Sequence, residues 1–328
     1  MIPALVLTAG LATRLRPLSL VRAKAAMPVA GEPLVRRILR QLRTADVTEA
    51  VLNLHYLPHT ITQVLGDGSD LGVRVRYSWE MPVLGSAGGP RLALSLLGSS
   101  PFLIVNGDTL TSIDIGKLVT AHWHSEALVT MALVPRTEPE RYGGIRIDDE
   151  GVFTGVTKRG VDDDSFHFIG VQVAEAEAFA ALPPGKSVES VSDLYLRLAT
   201  AVPGSVQGHI CEGEFFDIGT PDDYLRTSLT LTVRDGRTGG QSHGARVRID
   251  PTADVRESIL WDDVTVGADA RLERCVVTDG VAVPAGTAWT RCTLRRAAGD
   301  LAPGERLAGD LAVMPIAPNF QLPTPKPQ

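Results

Sequence analysis

Through the first two-thirds of the chain, short continuous apolar runs alternate with apolar residues at helical spacing. Residues 4–8 form a nearly all-apolar run that stops at Ala9-Gly10, the pattern of a strand buried on both faces. Residues 33–45 carry Leu34, Val35, Ile38, Leu39 and Leu42 at helical spacing with arginines opposite, which predicts an amphipathic helix. Further strands are expected at 50–54, 73–77, 102–105 and 128–134, with helices at 60–65 and 115–124. This β-α alternation predicts a parallel sheet covered by helices, with ligands beyond the carboxyl ends of the strands. Between Gly144 and Val173 the strand-like segments crowd together (GIRID, FTGVT, FHFIGVQV), which predicts an antiparallel insertion. Helices at 175–182 and 192–200 and a strand at 215–218 follow. Thr220-Pro221-Asp222-Asp223 then opens a helix: a hydroxyl N-cap, proline at the first helical position and acids in the first turn. That helix is expected to run to about Val233 and to end in the linker-like DGRTGGQSHG.

Beyond the linker the period changes. Written as three rows of seventeen residues (249–265, 266–282 and 283–299), the chain aligns Ile249 with Val266 and Val283, and Val255 with Leu272 and Trp289. Ser258, Cys275 and Cys292 form another column, and Val264 and Val281 align with Ala298 below them. Aliphatics every five or six residues in a repeat close to eighteen mark the hexapeptide coils of a β-helix, each needing neighbours to bury its stacked face. A small antiparallel sandwich with accidental periodicity is the competing reading. Cys275 and Cys292 read as stacked core residues. The expected divisions are a first domain over 1–235, a linker over 236–245, a β-helix over 246–300 and a proline-rich tail over 301–328; the last fourteen residues hold five prolines.

Composition narrows the function classes. The chain has 328 residues, 44% hydrophobic and 21% charged, which suits a globular protein of about two domains. A net charge of −6 argues against a general grip on nucleic acid or anionic lipid, while leaving room for a local basic pocket. Three cysteines cannot form a disulfide framework. The N-terminal MIPALVLTAG has no basic region before its apolar run, and nowhere do eighteen apolar residues follow one another. A cytoplasmic location, with no membrane partner, is expected.

Three segments could carry chemistry. In LTAGLATRLRPLS, Gly10 permits a tight turn, and Arg14 and Arg16 could meet phosphates beside main-chain N–H groups. A plain strand-to-helix turn with surface arginines fits equally well. Lys24 follows among small apolar residues, as a snorkelling surface group or a cation fixed over a phosphate. Asp108 closes FLIVNGD and Asp217 closes EFFD, both at expected carboxyl ends of strands. Two such carboxylates can share Mg²⁺ with substrate phosphates, or can simply serve a turn and a helix cap. Leu84-Gly85-Ser86-Ala87-Gly88-Gly89 could lay main chain against a flat ligand or be a flexible loop. Helical zinc pairs, Cys-x-x-Cys and Walker A sequences are missing.

Taken together and in order, these motifs resemble the sugar-1-phosphate nucleotidyltransferases. The family's G-x-G-T-R-L-x-P-L-T matches the segment from Gly10 to Ser19, and its P-K-x-x-x-P-V matches Ala23-Lys24 through Val29. L-G-T-A-G matches Leu84 to Gly88, G-D matches Gly107-Asp108, and D-I-G-T matches Asp217 to Thr220. Tyr142-Gly143 is similar to the Y-G beside the sugar, Lys158 to the lysine of E-K-P, and Gly170 to the glycine of N-A-G-I-Y. The resemblance implies a Rossmann-like α/β nucleotidyltransferase domain with a mixed sheet. It also implies a short C-terminal left-handed parallel β-helix, as in mannose-1-phosphate guanylyltransferases. It implies an enzyme that joins an NTP to a sugar 1-phosphate with Mg²⁺ on Asp108 and Asp217. Arg14, Lys24, Asp108 and Asp217 would be catalytic; Ala9, Gly10, Leu11, Leu84, Gly85, Gly88, Asn106, Tyr142, Gly143, Lys158 and Gly170 would bind substrate. GTP is favoured, with UTP and a cell-wall sugar phosphate the alternative, and stacked coils offer a face for homo-oligomers. Ala12 stands where the family has a loop glycine, Ala23 where it has proline, and Thr157 where it has the glutamate of E-K-P. These departures keep a non-catalytic regulatory subunit on the same scaffold as the rival reading.

Overall fold

A computed structural model describes residues 2–236 and 242–318. The chain forms two compact units, one of Met1–Gly10 with Arg36–Phe216 and one of Leu11–Val35 with Asp217–Gln328. Compactness therefore groups the chain differently from its linear order, because Leu11–Val35 clusters with the C-terminal residues.

In the first unit, β1 (Ala4–Leu7), β2 (Glu49–Leu54), β3 (Arg74–Trp79) and β4 (Phe102–Asn106) run parallel in the order β4-β1-β2-β3. Leu5, Val6, Val51, Leu52, Leu103 and Ile104 are buried, as both faces of a central parallel sheet require. Beyond β4 the sheet turns antiparallel. It continues through β5 (Val129–Pro135), β6 (Gly144–Ile147), β7 (Phe153–Thr157) and β8 (Phe166–Ala174). The full order is β7-β6-β8-β4-β1-β2-β3, with β5 also on β8 and β9 (Val206–Ile210) parallel to β5. The expected mixed sheet is thus present, the antiparallel part lying where the strands crowd in sequence.

Helices α1 (Leu34–Thr44), α2 (Pro58–Leu65), α3 (Gly85–Leu97) and α4 (Ile115–Ser125) connect the strands. Of these α3 was not expected. Gly85, Gly88, Gly89 and Pro90 are all poor helix formers, so tertiary packing overrides propensity there. The helix expected at 175–182 shrinks to Glu177–Ala180, and the next begins as a π turn over Ser190–Leu194 before α5 (Tyr195–Ala201). No described helix is long and apolar enough to cross a membrane.

In the second unit, α6 (Pro221–Arg234) starts as expected, with the Thr220 hydroxyl accepting from the Asp223 N–H at 3.2 Å. Three parallel sheets follow. Their registers pair Ile249 with Val266 and Val283, Val255 with Leu272 and Trp289, and Ile259 with Val276 and Thr293. The seventeen-residue rows are therefore the coils of a hexapeptide β-helix. Glu257, Arg274 and Arg291 turn the same corner in successive coils with φ of 42, 53 and 45°. Cys275 and Cys292 stack in the core with their Sγ atoms 3.7 Å apart.

Two expectations need correction here. Ala298 does not continue the Val264–Val281 column: it is exposed where those two are buried, and no strand starts directly after it as Thr265–Val266 and Ala282–Val283 do after them. Residues 301–318 are not all tail: Leu311–Pro315 runs antiparallel to Cys292–Arg296 and Arg306–Ala308 pairs beside it. Leu311 and Val313 are buried in the coil core, which explains why this segment is ordered onto the stack. Residues 237–241 of the expected linker and 319–328 of the expected tail lie outside the described residues.

The added hairpin is tied down by a buried ion pair, Arg295 Nε and Nη2 donating to the two Glu305 carboxylate oxygens at 2.6 and 2.5 Å. Removing one partner leaves an uncompensated buried charge. Glu305→Ala should therefore cost about 3 kcal/mol of stability, read from denaturant unfolding of the full chain; a loss below about 0.5 kcal/mol, the scale of an exposed pair, would contradict this.

Candidate functional site

The first unit holds a cavity of about 500 Å³, a size suited to a small ligand. Its walls come from strand ends and their loops: Leu7 at the end of β1, Asn106 at the end of β4, Gly143 to Ile145, Val156-Thr157, and Glu189 to Ser192. The edge of the sheet at which a doubly wound fold presents ligand-binding loops thus opens into this space. Of the expected site residues, Asn106 and Gly143 line it directly. Gly170 touches the same place from behind: it has φ +77°, and a Cβ there would lie 2.4 Å from Asn106 Nδ2. Only glycine allows that bulged strand to pass under the asparagine.

Tyr142 flanks His167, ring centroids 4.3 Å apart, and His167 meets Phe215 at 4.9 Å. The buried Arg136 ties the surrounding loops together, donating to the carbonyls of Tyr142 at 3.3 Å and Val161 at 2.6 Å. It also donates to Asp163 at 2.7 Å. The Thr157 hydroxyl donates to the other oxygen of Asp163 at 2.6 Å, so the position expected to have lost a carboxylate has one hydrogen-bonded to it. Hydrogen bonds from Ser165 and Thr157, more than the charge of Arg136, hold the Asp163 carboxyl below its ordinary range. Lys158 is exposed next to Thr157.

Leu84, Gly85 and Gly88 open α3, and their surroundings are supplied by residues that sequence reasoning did not select. Glu80 is buried and accepts from the Leu84 N–H at 2.9 Å and from Asn53 Nδ2 at 2.7 Å. Asn53 in turn accepts from the Thr8 N–H at 2.6 Å, next to Ala9. Glu189 accepts from the Ser86 hydroxyl at 2.8 Å, and the Val188 carbonyl accepts from the Ala87 N–H at 2.9 Å. The available signal was a polar residue within one position of each strand's end: Thr8, Asn53, Glu80. Asp108 is half-buried beyond Gly107, where a Cβ would sit 2.6 Å from the Leu7 carbonyl oxygen.

The second unit carries Leu11, Arg14, Lys24 and Asp217. Arg14 is exposed in the 3₁₀ turn Thr13–Leu15. Lys24 opens the 3₁₀ turn Lys24–Ala26, half-buried among the buried alanines 23, 25 and 26. Ala12 sits at φ 48°, ψ 43°, a left-handed conformation where a β-carbon is strained. Asp217 follows the strand, which ends at Phe216 and not at 218 as expected. Its carboxylate lies over Gly219, where a Cβ would come within 3.1 Å of Oδ2, and its carbonyl accepts from the Thr227 hydroxyl at 3.0 Å.

A family model for nucleotidyl transferases matches residues 3–233. The chain belongs to the nucleotidyl transferase family. A second model, the GlmU-like C-terminal hexapeptide, matches residues 235–289, in agreement with the coils. This chain is 28% identical to the mannose-1-phosphate guanylyltransferase of Mycobacterium tuberculosis over 294 residues, 87% of this chain and 82% of that protein. It is 48% identical over 113 residues to the N-acetylmuramate alpha-1-phosphate uridylyltransferase of Neisseria meningitidis, 34% of this chain and 48% of that one. Its fold is also that of a putative glucose-1-phosphate thymidylyltransferase from Bacillus anthracis, TM-score 0.63 at 20% identity, over 71% of this chain and 96% of that one. As a member of the nucleotidyl transferase family the protein is an enzyme.

Two predictions concern packing and backbone strain at Gly88, Gly10 and Ala12. A Cβ on Gly88 would lie 2.4 Å from the Lys186 carbonyl oxygen, whereas one on Gly10 meets nothing within 4 Å. Gly88→Ala should therefore lose about 1–3 kcal/mol in thermal or denaturant unfolding, while Gly10→Ala stays within about 0.5 kcal/mol. Equal effects would refute the packing account. Ala12→Gly should gain about 1 kcal/mol by releasing the left-handed strain, measured the same way, and a loss would show that Ala12 is not strained.

Proposed function

We propose that the protein transfers a nucleotidyl group from an NTP to a sugar 1-phosphate, releasing pyrophosphate, and that guanylyl transfer to mannose 1-phosphate is its leading reaction. The observation that carries the transfer is the cavity at the ends of β1 and β4, walled by Asn106 and Gly143. Similarity to a guanylyltransferase over 87% of the chain supports the base and sugar. A specific observation favours a second reading, uridylyl transfer to a cell-wall sugar phosphate: the 48% identity to the Neisseria enzyme over 113 residues.

In this reading an oxygen of the sugar phosphate attacks the α-phosphorus of the NTP in line. The new P–O bond forms as the bond to the bridging oxygen breaks, and pyrophosphate leaves with that electron pair. No covalent intermediate with the protein is needed, so the residues act by position and charge. Arg14 would hold the leaving β- and γ-phosphates, Lys24 the α-phosphate and Lys158 the phosphate of the sugar. Tyr142, Gly143 and Asn106 would orient the sugar, and Ala9 to Leu11 with Leu84, Gly85 and Gly88 the nucleotide. Asp108 and Asp217 offer only hard carboxylate oxygens, a donor set that fits Mg²⁺. When bound, that ion would neutralise charge on the triphosphate.

Pyrophosphate release from a panel of NTPs and sugar 1-phosphates tests the proposal. GTP with mannose 1-phosphate should be fastest; UTP with a cell-wall sugar phosphate fastest would establish the second reading, and no release from any pair would overturn both. Lys24→Ala and Asp108→Asn should each lower turnover at least about 100-fold with unchanged circular dichroism. Full activity in either would remove that residue from the machinery.

A further inference from the structure

The second unit contains a charge cluster that none of these roles uses. The seventeen-residue repeat puts Asp262 and Asp279 at equivalent positions of adjacent coils, and the Asp262 N–H donates to Asp279 Oδ1 at 3.1 Å. Stacked carboxylates repel unless a cation lies between them. The cation comes from the segment between Arg14 and Lys24. Arg22 Nε and Nη2 grip both oxygens of Asp279 at 2.7 Å, and Nη2 also reaches Asp262 Oδ2 at 2.6 Å. Its guanidinium lies 5.4 Å from the centroid of the buried Trp261 ring. Its Nη1 donates at 3.4 Å to the carbonyl of Ala26, within the turn that Lys24 opens. Burial works against the arginine's charge, but hydrogen bonds and charge from Asp279 and Asp262 hold its pKa above the ordinary value.

A second tie fixes the other end of the same segment. Trp261 Nε1 donates at 2.8 Å to the Tyr224 hydroxyl, which donates at 2.5 Å to the carbonyl of Pro28. The lysine turn is thus held on both sides, at residue 22 and residue 28, by side chains of one coil, its neighbour and α6.

We propose that Arg22 is a positioning residue for the Lys24 turn, and that the β-helix, through Asp262 and Asp279, is a working part of the catalytic apparatus. The proposal rests on the reading that Lys24 contacts substrate phosphate. Its signature is a loss in kcat, because an incorrectly held lysine still permits substrate binding but misses the transition state.

The experiment uses the full-length chain with Asp279→Asn, Asp262→Asn and Arg22→Gln. Each variant should lower kcat roughly 10- to 100-fold with both KM values within about 3-fold, and with circular dichroism unchanged. Arg22→Lys should not restore kcat, since an ammonium cannot grip Asp279 through two parallel bonds. Independently of activity, the rate at which acetic anhydride labels Lys24, followed by mass spectrometry, should change at least about 3-fold in Asp279→Asn, as expected of a turn freed to sample other positions. Should Arg22→Gln fail to fold, the two aspartate variants carry the test. Wild-type kcat in both aspartate variants, or unchanged Lys24 labelling, would overturn the proposal. If the wild-type chain releases no pyrophosphate with any substrate pair, the proposed function fails, and the labelling rate still decides whether Arg22 holds the turn.

Discussion

Two carboxylates on adjacent coils of a β-helix impose a constraint that the chain meets with a single guanidinium. Arg22 lies between Asp262 and Asp279 against the ring of Trp261. A half-buried ion cluster of this kind is weak evidence for stability, because desolvation of the charges offsets much of their attraction. Its effect is on register: once the coils stack, one place satisfies both aspartates, and the residue that fills it lies two positions before Lys24. The grouping of Leu11–Val35 with the C-terminal residues follows from this contact and from the Tyr224 hydroxyl on Pro28.

The first unit depends on close approaches of main chain. At Gly107, Gly170 and Gly88 a Cβ would come within 2.4 to 2.6 Å of Leu7, Asn106 or Lys186. These approaches bring the strand ends and the Lys186 to Ser190 segment near enough for short polar side chains to join them. Glu80 and Asn53 join β1, β2 and α3 in one network, and Arg136 with Asp163 does the same for the loops around Tyr142 and Thr157. These hydrogen bonds position the loops that wall the cavity.

Much of this was legible in order along the chain. Buried parallel strands announce themselves as apolar runs, and Ala4–Leu7 and Phe102–Asn106 differ from the expected spans by a residue. The coil registers equal the seventeen-residue columns because stacking requires equivalent residues at equivalent corners. What was not legible depends on partners distant in sequence. The helix Gly85–Leu97 is built on glycines that read as a loop, and it forms because Glu80 and Val188 satisfy its first turn. Arg22 carries no signal of its own in the sequence, since Asp262 and Asp279 lie some 240 and 257 residues on and meet it only in the fold. Residues 301–318 read as tail because prolines 303, 315 and 318 interrupt their apolar positions, although Leu311 and Val313 pack in the coil core. Ala12 was conspicuous as a missing glycine, and its left-handed φ of 48° gives the physical reason that glycine suits the position.

The central claim is that the coils and the lysine turn act as one device through the Arg22–Asp279 contact. A double-mutant cycle on kcat measures that most directly, comparing Arg22→Gln, Asp279→Asn and the pair in the full-length chain. If the contact carries the effect, the double variant loses no more than the worse single variant, a coupling of at least about 1 kcal/mol in activation free energy. Strictly additive losses, with the double variant slowed by the product of the two single factors, would contradict the account.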